Sequence, residues 1–313
     1  MARRNATFIQ AVFFSAAAIL VLSTLALLFF IGSNGLAVFK YHSFGEFFLG
    51  ASWDQNTDQF GVLPLLYGSL MTVLITLLIS APLAIAVAVF MVEIASPPVR
   101  RVMRTTVELF ASLPSVIFGL LGLTLVVPWV RIAMHTGLGK GILPAAIVLV
   151  FMTQPTMVSI AEDALRSLSE ALREGALAAG ATRWQMIWRV LLPAARPGIL
   201  TAVILGMGRA IGETMAVQMV IGNITGRIPK NLITGATTMP AAIVTQLPEA
   251  TSPAHRAALI MVGFLLLLIA LALIAGVRIA TGGKQNTAST SARPSATRKA
   301  ASTVSAASQR GEA

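Results

Sequence analysis

Two opposite charges, Arg209 and Glu213, lie inside a long apolar segment with the sequence GMGRAIGETMAV. If the helix begins near Pro197, Arg209 stands about 18 Å along its axis, slightly past the middle of a membrane core of roughly 30 Å. A charge at such a depth costs about 2.5 to 3.5 kcal/mol on insertion scales. Neither side chain is therefore expected to face lipid, and both are expected to face a partner group or water.

The spacing of this pair allows two interpretations. An ion pair one helical turn apart would lock the helix into its bundle, with Gly208 and Gly212 as a G-x-x-x-G surface for close packing. Alternatively, Arg209 attracts an anion in a water-filled path, while Glu213 keeps the site from holding that anion permanently. A planar guanidinium suits an oxyanion because it offers several donors. Both interpretations stay open at this point, since one pair can serve both roles.

A second charged interruption of the apolar sequence runs from Glu174 to Pro193. Two S/T-x-x-E/Q capping boxes predict helix starts here, formed by Ser167 with Glu170 and by Thr182 with Gln185. Gly180 lies between them and predicts a helix stop. On the second helix, apolar side chains recur at the i, i+3, i+4, i+7 spacing, at Trp184, Ile187, Trp188 and Leu191. These patterns predict an amphipathic two-helix hairpin, which could rest on lipid or bind another protein.

The spacing of this hairpin, E-x-A-x3-G-x9-V-x-L-P, resembles the cytoplasmic EAA loop of the membrane subunits of bacterial ABC importers. The matching positions are Glu174, Ala176, Gly180, Leu192 and Pro193. Gly175 takes the place of the middle alanine, and Val190 that of an isoleucine. The resemblance implies that the loop, with Ala181 in its turn, docks an ATPase and couples its movement to the membrane helices.

The composition is that of a polytopic membrane protein. Of 313 residues, 56% are hydrophobic and only 11% are charged, which does not fit a soluble domain with a polar shell. The absence of cysteine excludes disulfides, thiolate metal sites and cysteine nucleophiles. A net charge of +11 would suggest nucleic acid in a soluble chain, but here the side of the membrane on which the charges lie decides their meaning, and no nucleic-acid partner is expected.

Six apolar stretches are long enough to cross a bilayer, which takes about 20 helical residues each. They run from Ile9 to Ile31, Leu65 to Val92, Val107 to Val130, Ile142 to Ile160, Gly198 to Ile221 and Ala257 to Ile279. An even number places both termini on one side, and most lysines and arginines fall on that side. The positive-inside rule therefore puts both termini and the hairpin in the cytoplasm.

The expected organisation is an all-α polytopic membrane protein with three parts. Residues 1–8 form a cytoplasmic N-terminus, 9–279 a six-helix permease domain with its coupling loop at about 165–196, and 280–313 a disordered, basic cytoplasmic tail. The outer segment at 222–255 is rich in Gly, Thr and Pro and is expected to be irregular. Prolines inside the spans, at 82, 114 and 155, predict kinks, beside which Ser115, Thr153, Gln154 and Thr156 could line a pore.

The segment from Arg209 to Val217, followed by Gly222 and Asn223, resembles the signature of the PstC family, a membrane subunit of phosphate ABC importers. The stretch SLPSVIFG at 112–119 resembles that family's Pro-Ser-Val motif. The sister family PstA shares the Arg-Ala-x-Gly-Glu-Thr core but continues with Ala-Pro, where this chain has Met215 and Ala216. With the EAA-like loop included, the resemblance covers roughly Leu63 to Ile279.

This resemblance implies a type I ABC importer permease fold in the bacterial inner membrane. It implies four kinds of partner: a PstA-like second permease subunit, a PstB-like ATPase dimer, a PstS-like phosphate-binding protein, and phosphate itself, besides the surrounding membrane lipid. The expected substrate path is lined by Arg209, Glu213, Thr214 and Ser115. The expected coupling residues are Glu174, Gly175, Ala176, Gly180, Ala181, Leu192 and Pro193.

The chain is not expected to be an enzyme. It has no G-x4-G-K-[ST] phosphate loop, so ATP and Mg²⁺ are expected on the partner ATPase, with no cofactor or metal in this chain. Three alternatives remain: a secondary anion transporter that uses Arg209 and Glu213, a permease subunit for another oxyanion, and the PstA-like sister subunit. A secondary transporter would commonly show an internal repeat, and none is evident here.

Overall fold

The computed structural model describes residues 2–281, so the predicted basic tail lies almost wholly outside the described residues. Helices make up most of the described part, as predicted. Their bounds are α1 (Ala2–Gly35), α2 (Phe44–Leu49), α3 (Leu63–Val89), α4 (Pro97–Ser112), α5 (Ser115–Leu121), α6 (Val127–Ala133), α7 (Ile142–Arg166), α8 (Glu170–Ala178), α9 (Arg183–Met186), α10 (Leu192–Gly212), α11 (Met215–Val220), α12 (Met239–Gln246) and α13 (Pro253–Thr281). Six helical segments among residues 2–281 are long and apolar enough to cross a membrane, which confirms the predicted number.

Short elements join or extend these helices. Widened π-helical turns follow α3, α5 and α9, at Phe90–Ile94, Gly122–Val126 and Ile187–Leu191. Two 3₁₀ turns follow α1 and α12, at Leu36–Lys40 and Leu247–Glu249. Strands β1 (Trp53–Asp54) and β2 (Gln59–Phe60) form an antiparallel hairpin with Trp53 opposite Phe60. Because the π turns continue the helices, the second and fifth membrane segments reach Leu63–Ile94 and Arg183–Gly212.

Helix α7 lies at the centre of the bundle, where α3 packs on one side and α10 on another. Its side chains are buried from Ile142 to Leu165 at most positions, because the helix is apolar on nearly every side. Thr72 and Thr76 of α3 are buried, and each hydroxyl donates to the carbonyl four residues earlier at 2.7 Å. These bonds satisfy polar groups in the apolar interior, so α3 and α7 can pack closely.

The predicted third span, Val107 to Val130, is wrong as a single helix. The chain is extended at Leu113 and Pro114, with ψ angles of 132° and 141°, and this break separates α4 from α5. Proline lacks an N–H donor and disfavours the helical conformation of the residue before it. The third membrane segment is therefore only Ser115–Ala133, and α4 is a separate helix in which no residue is buried.

The predicted fifth span, Gly198 to Ile221, is also wrong as a single helix. Helix α10 begins earlier, at Leu192, and ends at Gly212, after which Glu213 is extended with φ −74° and ψ 121°. A new helix, α11, starts at Met215, and the Glu213 carboxylate accepts the Ala216 N–H at 3.1 Å. This bond satisfies one of the free donors at the start of α11, so Glu213 ends one helix and caps the next.

The end of the bundle that carries α8 and α9 is here called the loop end. The opposite end has more regular structure than predicted. There the segment at 222–255, expected to be irregular, contains α12 and the start of α13. Thr238 caps α12 by accepting the Ala241 N–H at 3.4 Å. Phe47, Trp53 and Phe60 are buried beside α12 and α13. The aromatic segment after α1 therefore covers the ends of these helices.

Candidate functional site

Arg209 lies on the last turn of α10 and reaches across to α7. Its Nη1 donates to Thr156 Oγ1 at 2.8 Å, and both side chains are half-buried. Gly206, one turn earlier on α10, permits this approach, since a Cβ there would lie 2.1 Å from Met157 Cε. Close packing of α10 on α7 therefore places the guanidinium next to Thr156, one residue after Pro155.

The ion pair between Arg209 and Glu213, one of the two interpretations of their spacing, is absent from the described residues, whose ion pairs do not include Arg209. The physical reason is the helix break: a turn of continuous helix would bring the two side chains together, but α10 ends at Gly212. Glu213 is engaged with the start of α11 instead. Arg209 thus carries a positive charge whose bonded partner is a neutral hydroxyl, and most of its five N–H donors stay available.

Helices α5 and α11, each of which begins after a helix break, pack against each other. A Cβ on Gly119 of α5 would lie 2.9 Å from Ala216 Cα, and one on Gly122 would lie 2.9 Å from Val220 Cγ1. Because both contacts advance in the same direction, α5 and α11 run parallel. Ser115 and Thr214 therefore lie at the same end of this helix pair.

The hydroxyls at this end are polar groups that could contact a solute. Thr214 Oγ1 donates to the Gly212 carbonyl at 3.3 Å, and the half-buried Ser115 side chain follows directly after the break at Pro114. Arg209, Glu213 and Thr214 are close in sequence at the end of α10, while Ser115 reaches the same level through the α5–α11 contact. No cluster of His, Asp or Glu side chains suited to a metal ion occurs among residues 2–281.

Among residues 2–281, no other helix packs against the G-x-x-x-G surface of α10. A Cβ added at Gly208 or at Gly212 would have no atom within 4 Å. Leu205 and Met215, which flank these glycines, are 50% and 45% exposed. The face of α10 beside Arg209 is therefore not covered by the described part of this chain.

The coupling segment has one predicted capping box and lacks the other. Thr182 Oγ1 accepts the Gln185 N–H at 3.3 Å, and Gln185 Oε1 accepts the Thr182 N–H at 2.9 Å, which confirms the second box. The first box is wrong: α8 starts one residue after Ser169 without a side-chain cap bond. Ser167 donates its hydroxyl to the Ala164 carbonyl at 2.8 Å and so belongs to the end of α7.

Gly180 ends α8, as predicted. Its φ is +82°, a left-handed conformation that glycine adopts without the Cβ penalty of other residues. The Gly180 N–H donates to the Leu177 carbonyl at 3.0 Å, and the Ala181 N–H donates to the Ala176 carbonyl at 3.1 Å. These two bonds form a Schellman motif, so the tight turn at the tip of the hairpin depends on glycine at this position.

The coupling residues predicted from the EAA-like spacing are mostly accessible. Glu174, Gly175, Gly180 and Pro193 are exposed, whereas Ala176, Ala181 and Leu192 are half-buried. Helix α8 has no buried residue. The segment therefore presents a largely free surface at the loop end.

The predicted apolar face of the second coupling helix is only partly buried. Ile187 and Leu191 pack into the core, together with Met186, whereas Trp184 and Trp188 remain 61% and 56% exposed. The two indole rings contact each other edge to face, with centroids 5.5 Å apart. One half of the apolar stripe therefore anchors the hairpin, and the other half is free.

Charged side chains also form contacts at the loop end. Arg104 pairs with Glu108 at 3.3 Å. Glu162 pairs with Arg166 at 2.6 Å and lies 3.9 Å from Arg104. The sequence reasoning missed a contact between Arg173 of α8 and Glu93 after α3, because the two residues are 80 positions apart.

Comparisons with known proteins identify the family. Residues 80–281 match the family described as binding-protein-dependent transport system inner membrane component. A probable ABC transporter permease protein of Bacillus subtilis (strain 168), YqgH, is 41% identical over 75% of this chain and 77% of its own length. The phosphate transport system permease protein PstC of Mesorhizobium japonicum is 36% identical over 83% of this chain and 85% of its own.

A solved structure supports the fold. The chain aligns with a bacterial ABC transporter involved in the import of the acidic polysaccharide alginate with a TM-score of 0.60 and 19% identity, over 86% of this chain and 95% of the other. At this identity the likeness concerns the fold alone, and the fold is that of an importer permease. The chain belongs to the binding-protein-dependent transport system inner membrane family, and within it to the PstC group of multi-pass permease proteins.

Proposed function

We propose that this chain forms, with a second permease subunit of the PstA type, the membrane channel of an ATP-driven importer of inorganic phosphate. The observation that carries this proposal is the half-buried Arg209, whose side chain is bonded to the neutral Thr156 hydroxyl at 2.8 Å. A guanidinium in a poorly solvated setting attracts an oxyanion. Several relatives are phosphate transport system permease proteins, which selects phosphate among the oxyanions.

The broken helices support a path beside Arg209. Discontinuous helices near the middle of the membrane are a common setting for substrate sites, because irregular backbone is tolerated where it lines a cavity. Ser115 and Thr214 stand at the start of two such helices and supply hydroxyls that can donate to phosphate. Glu213 places a negative charge next to the path, which favours release because it opposes long residence of an anion.

The open α10 face fits a second permease subunit. Gly208 and Gly212 leave room for close approach of another helix, and small residues promote packing between membrane helices. A PstA-like subunit seated there would close the path from the side that this chain leaves open.

Energy enters at the loop end, where α8 and the Gly180 turn would dock a PstB-like ATPase dimer. The free surface of α8 supports this assignment, as does the EAA-like spacing. ATP and Mg²⁺ would be bound by that ATPase and not by this chain. A PstS-like binding protein would deliver phosphate at the opposite end.

The positive-inside rule supports the corresponding orientation and domain division. Both termini and the coupling loop would lie in the cytoplasm. The permease domain would span 9–279, between a short N-terminus at 1–8 and a basic tail at 280–313.

The test is uptake by the reconstituted complex in proteoliposomes, with phosphate, sulfate and arsenate compared. Arg209→Gln is expected to abolish phosphate uptake with normal assembly, and Arg209→Lys to retain part of it, because lysine keeps the charge but not the fork of donors. Arg131→Gln, at an exposed arginine of α6, is the matched control. Full uptake by Arg209→Gln would refute the substrate role, and uptake without ATPase or ATP would indicate a secondary transporter.

A further inference from the structure

Arg173 of α8 connects three segments at the loop end. Its Nε donates to Glu93 Oε1 at 3.1 Å, in the π turn that continues α3. Its Nη1 donates to the Leu168 carbonyl and its Nη2 to the Leu165 carbonyl, each at 2.9 Å. One side chain therefore fastens the coupling helix to the ends of both α3 and α7.

The contact with Glu93 is enclosed. The side chains of Arg173 and Glu93 are only 13% and 9% exposed, whereas Glu170, which also contacts Arg173, is 73% exposed. Pairs on the surface contribute little because water and salt screen them. Removing one partner of a buried pair has a large effect, because the other charge is left without compensation. The Arg173–Glu93 pair is therefore an enclosed charged contact between α8 and the turn that continues α3, beside the apolar packing of Leu172 and Ala176 in the cluster that contains Ala88 and Val89.

The turn that carries Glu93 is itself held firmly. Arg100 donates from Nε to the Met91 carbonyl at 2.5 Å and from Nη2 to the Val92 carbonyl at 2.9 Å. These bonds satisfy carbonyls that a helix end leaves free. The turn that carries Glu93 is therefore fixed to the end of α3 by side-chain bonds as well as by its backbone.

From α3 the contacts continue to the proposed substrate site. The Gln154 amide of α7 donates to the Ser80 carbonyl of α3 at 3.0 Å. Gln154 lies two residues before Thr156, which accepts from Arg209. The backbone of α3 and its π turn, between Glu93 and Ser80, thus joins two bonded contacts that lie between the coupling helix and the guanidinium, and rigid helices of this kind can carry energetic coupling.

We propose that Arg173 and Glu93 form a strut that stays closed during transport and passes the movement of α8 to α3. The two are positioning residues: they act on the substrate path through α3 and α7. This inference rests on the proposed function, since it assumes that the ATPase moves α8. It assigns to the pair a role in coupling that is separate from ATPase binding, which the exposed residues of α8 would provide.

The test measures phosphate transported per ATP hydrolysed by the reconstituted complex. Glu93→Gln and Arg173→Gln are expected to lower this ratio about tenfold, with the ATPase still bound. Glu93→Gln is the more informative variant, because it leaves the bonds from Arg173 to Leu165 and Leu168 in place. Glu108→Gln, which removes the acid of the exposed Arg104 pair, is the matched control and is expected to leave the ratio unchanged.

A covalent link in place of the Arg173–Glu93 pair tests whether the pair transmits the movement of α8 or only stabilises the fold. The chain has no cysteine, so Glu93→Cys combined with Arg173→Cys can be joined selectively by a short bifunctional thiol reagent. The ratio is expected to be low before the reaction and to recover after it. An unchanged ratio in Glu93→Gln, or a cross-linked pair that transports no better than the unreacted one, would overturn the proposal.

A separate variant tests whether the ATPase binds α8. Glu174→Arg with Gly180→Asp is expected to release the ATPase from the membrane complex. An ATPase that stays bound and active in that variant would refute docking on α8. A released ATPase together with an unchanged ratio in Glu93→Gln would refute the strut alone.

Discussion

The coupling hairpin and the Arg209 region use glycine for opposite reasons. Gly180 stands where no neighbouring atom would touch a Cβ, and glycine is favoured there by a φ of +82°. Gly206 has an ordinary helical backbone, and glycine is favoured there because Met157 occupies the space of a Cβ. The hairpin is therefore specified by local backbone geometry, and the Arg209 region by packing between helices distant in sequence.

Reversing the charge at the substrate site is expected to have the largest effect. Arg209→Glu places an anion where phosphate would bind, and like charges brought together cost several kcal/mol, so uptake should fall about a hundredfold or more. The measurement is initial uptake by equal amounts of assembled complex. Glu213→Gln serves as comparison, because it keeps an oxygen to accept the Ala216 N–H. Arg209→Glu with wild-type uptake would contradict the site.

Removal of the hydroxyl that holds Arg209 is expected to have the next largest effect. Thr156→Val keeps the shape of the side chain but loses the 2.8 Å bond, and a bond to a charged group contributes about 1.5–3 kcal/mol, so uptake should fall about tenfold. Thr156→Ser retains the hydroxyl and should transport nearly normally. Equal uptake by the two variants would show that the contact does not position Arg209.

A β-branched side chain at the hairpin tip tests whether local backbone geometry specifies the hairpin. Gly180→Val cannot adopt a φ of +82° without strain of about 1–3 kcal/mol, so ATPase affinity should fall about fivefold. Gly180→Asn should be milder, because asparagine tolerates the left-handed region. Binding of the purified ATPase to the reconstituted membrane subunits measures the difference. Equal affinities in both variants would mean that the Schellman turn does not shape the docking surface.

The difference between local backbone geometry and long-range packing also explains which features the sequence could predict. The stop at Gly180 and the cap at Thr182 involve residues within five positions, so the local pattern contains the whole interaction. The break at Pro114 has a local cause too, although the hydropathy of the span concealed it. At the break after Gly212, Glu213 accepts the Ala216 N–H and Gly119 packs against Ala216, and neither hydropathy nor periodicity reports such contacts.

Long-range charged contacts likewise depend on the tertiary fold. Glu93 and Arg173 are individually ordinary in sequence, and their pairing follows only from the way α3 and α8 meet at the loop end. The depth of Arg209 in an apolar segment indicates a functional residue, but its spacing from Glu213 left an ion pair and a free charge equally open. The depth of Arg209 in the membrane follows from the composition of its segment, whereas its bonding partner depends on how α10 packs on α7.

The smallest effect is expected at the start of α9. Thr182→Ala removes the hydroxyl that accepts the Gln185 N–H at 3.3 Å, and loss of such a cap costs about 1 kcal/mol. Because Ile187 and Leu191 still anchor the hairpin in the core, phosphate uptake should change less than twofold. Amide hydrogen exchange at Gln185 should nevertheless accelerate about fivefold, since exchange reports local opening. Thr182→Ser should restore slow exchange. ATPase affinity that fell as far in Thr182→Ala as in Gly180→Val would mean that the first turn of α9, and not the glycine tip alone, sets the docking geometry.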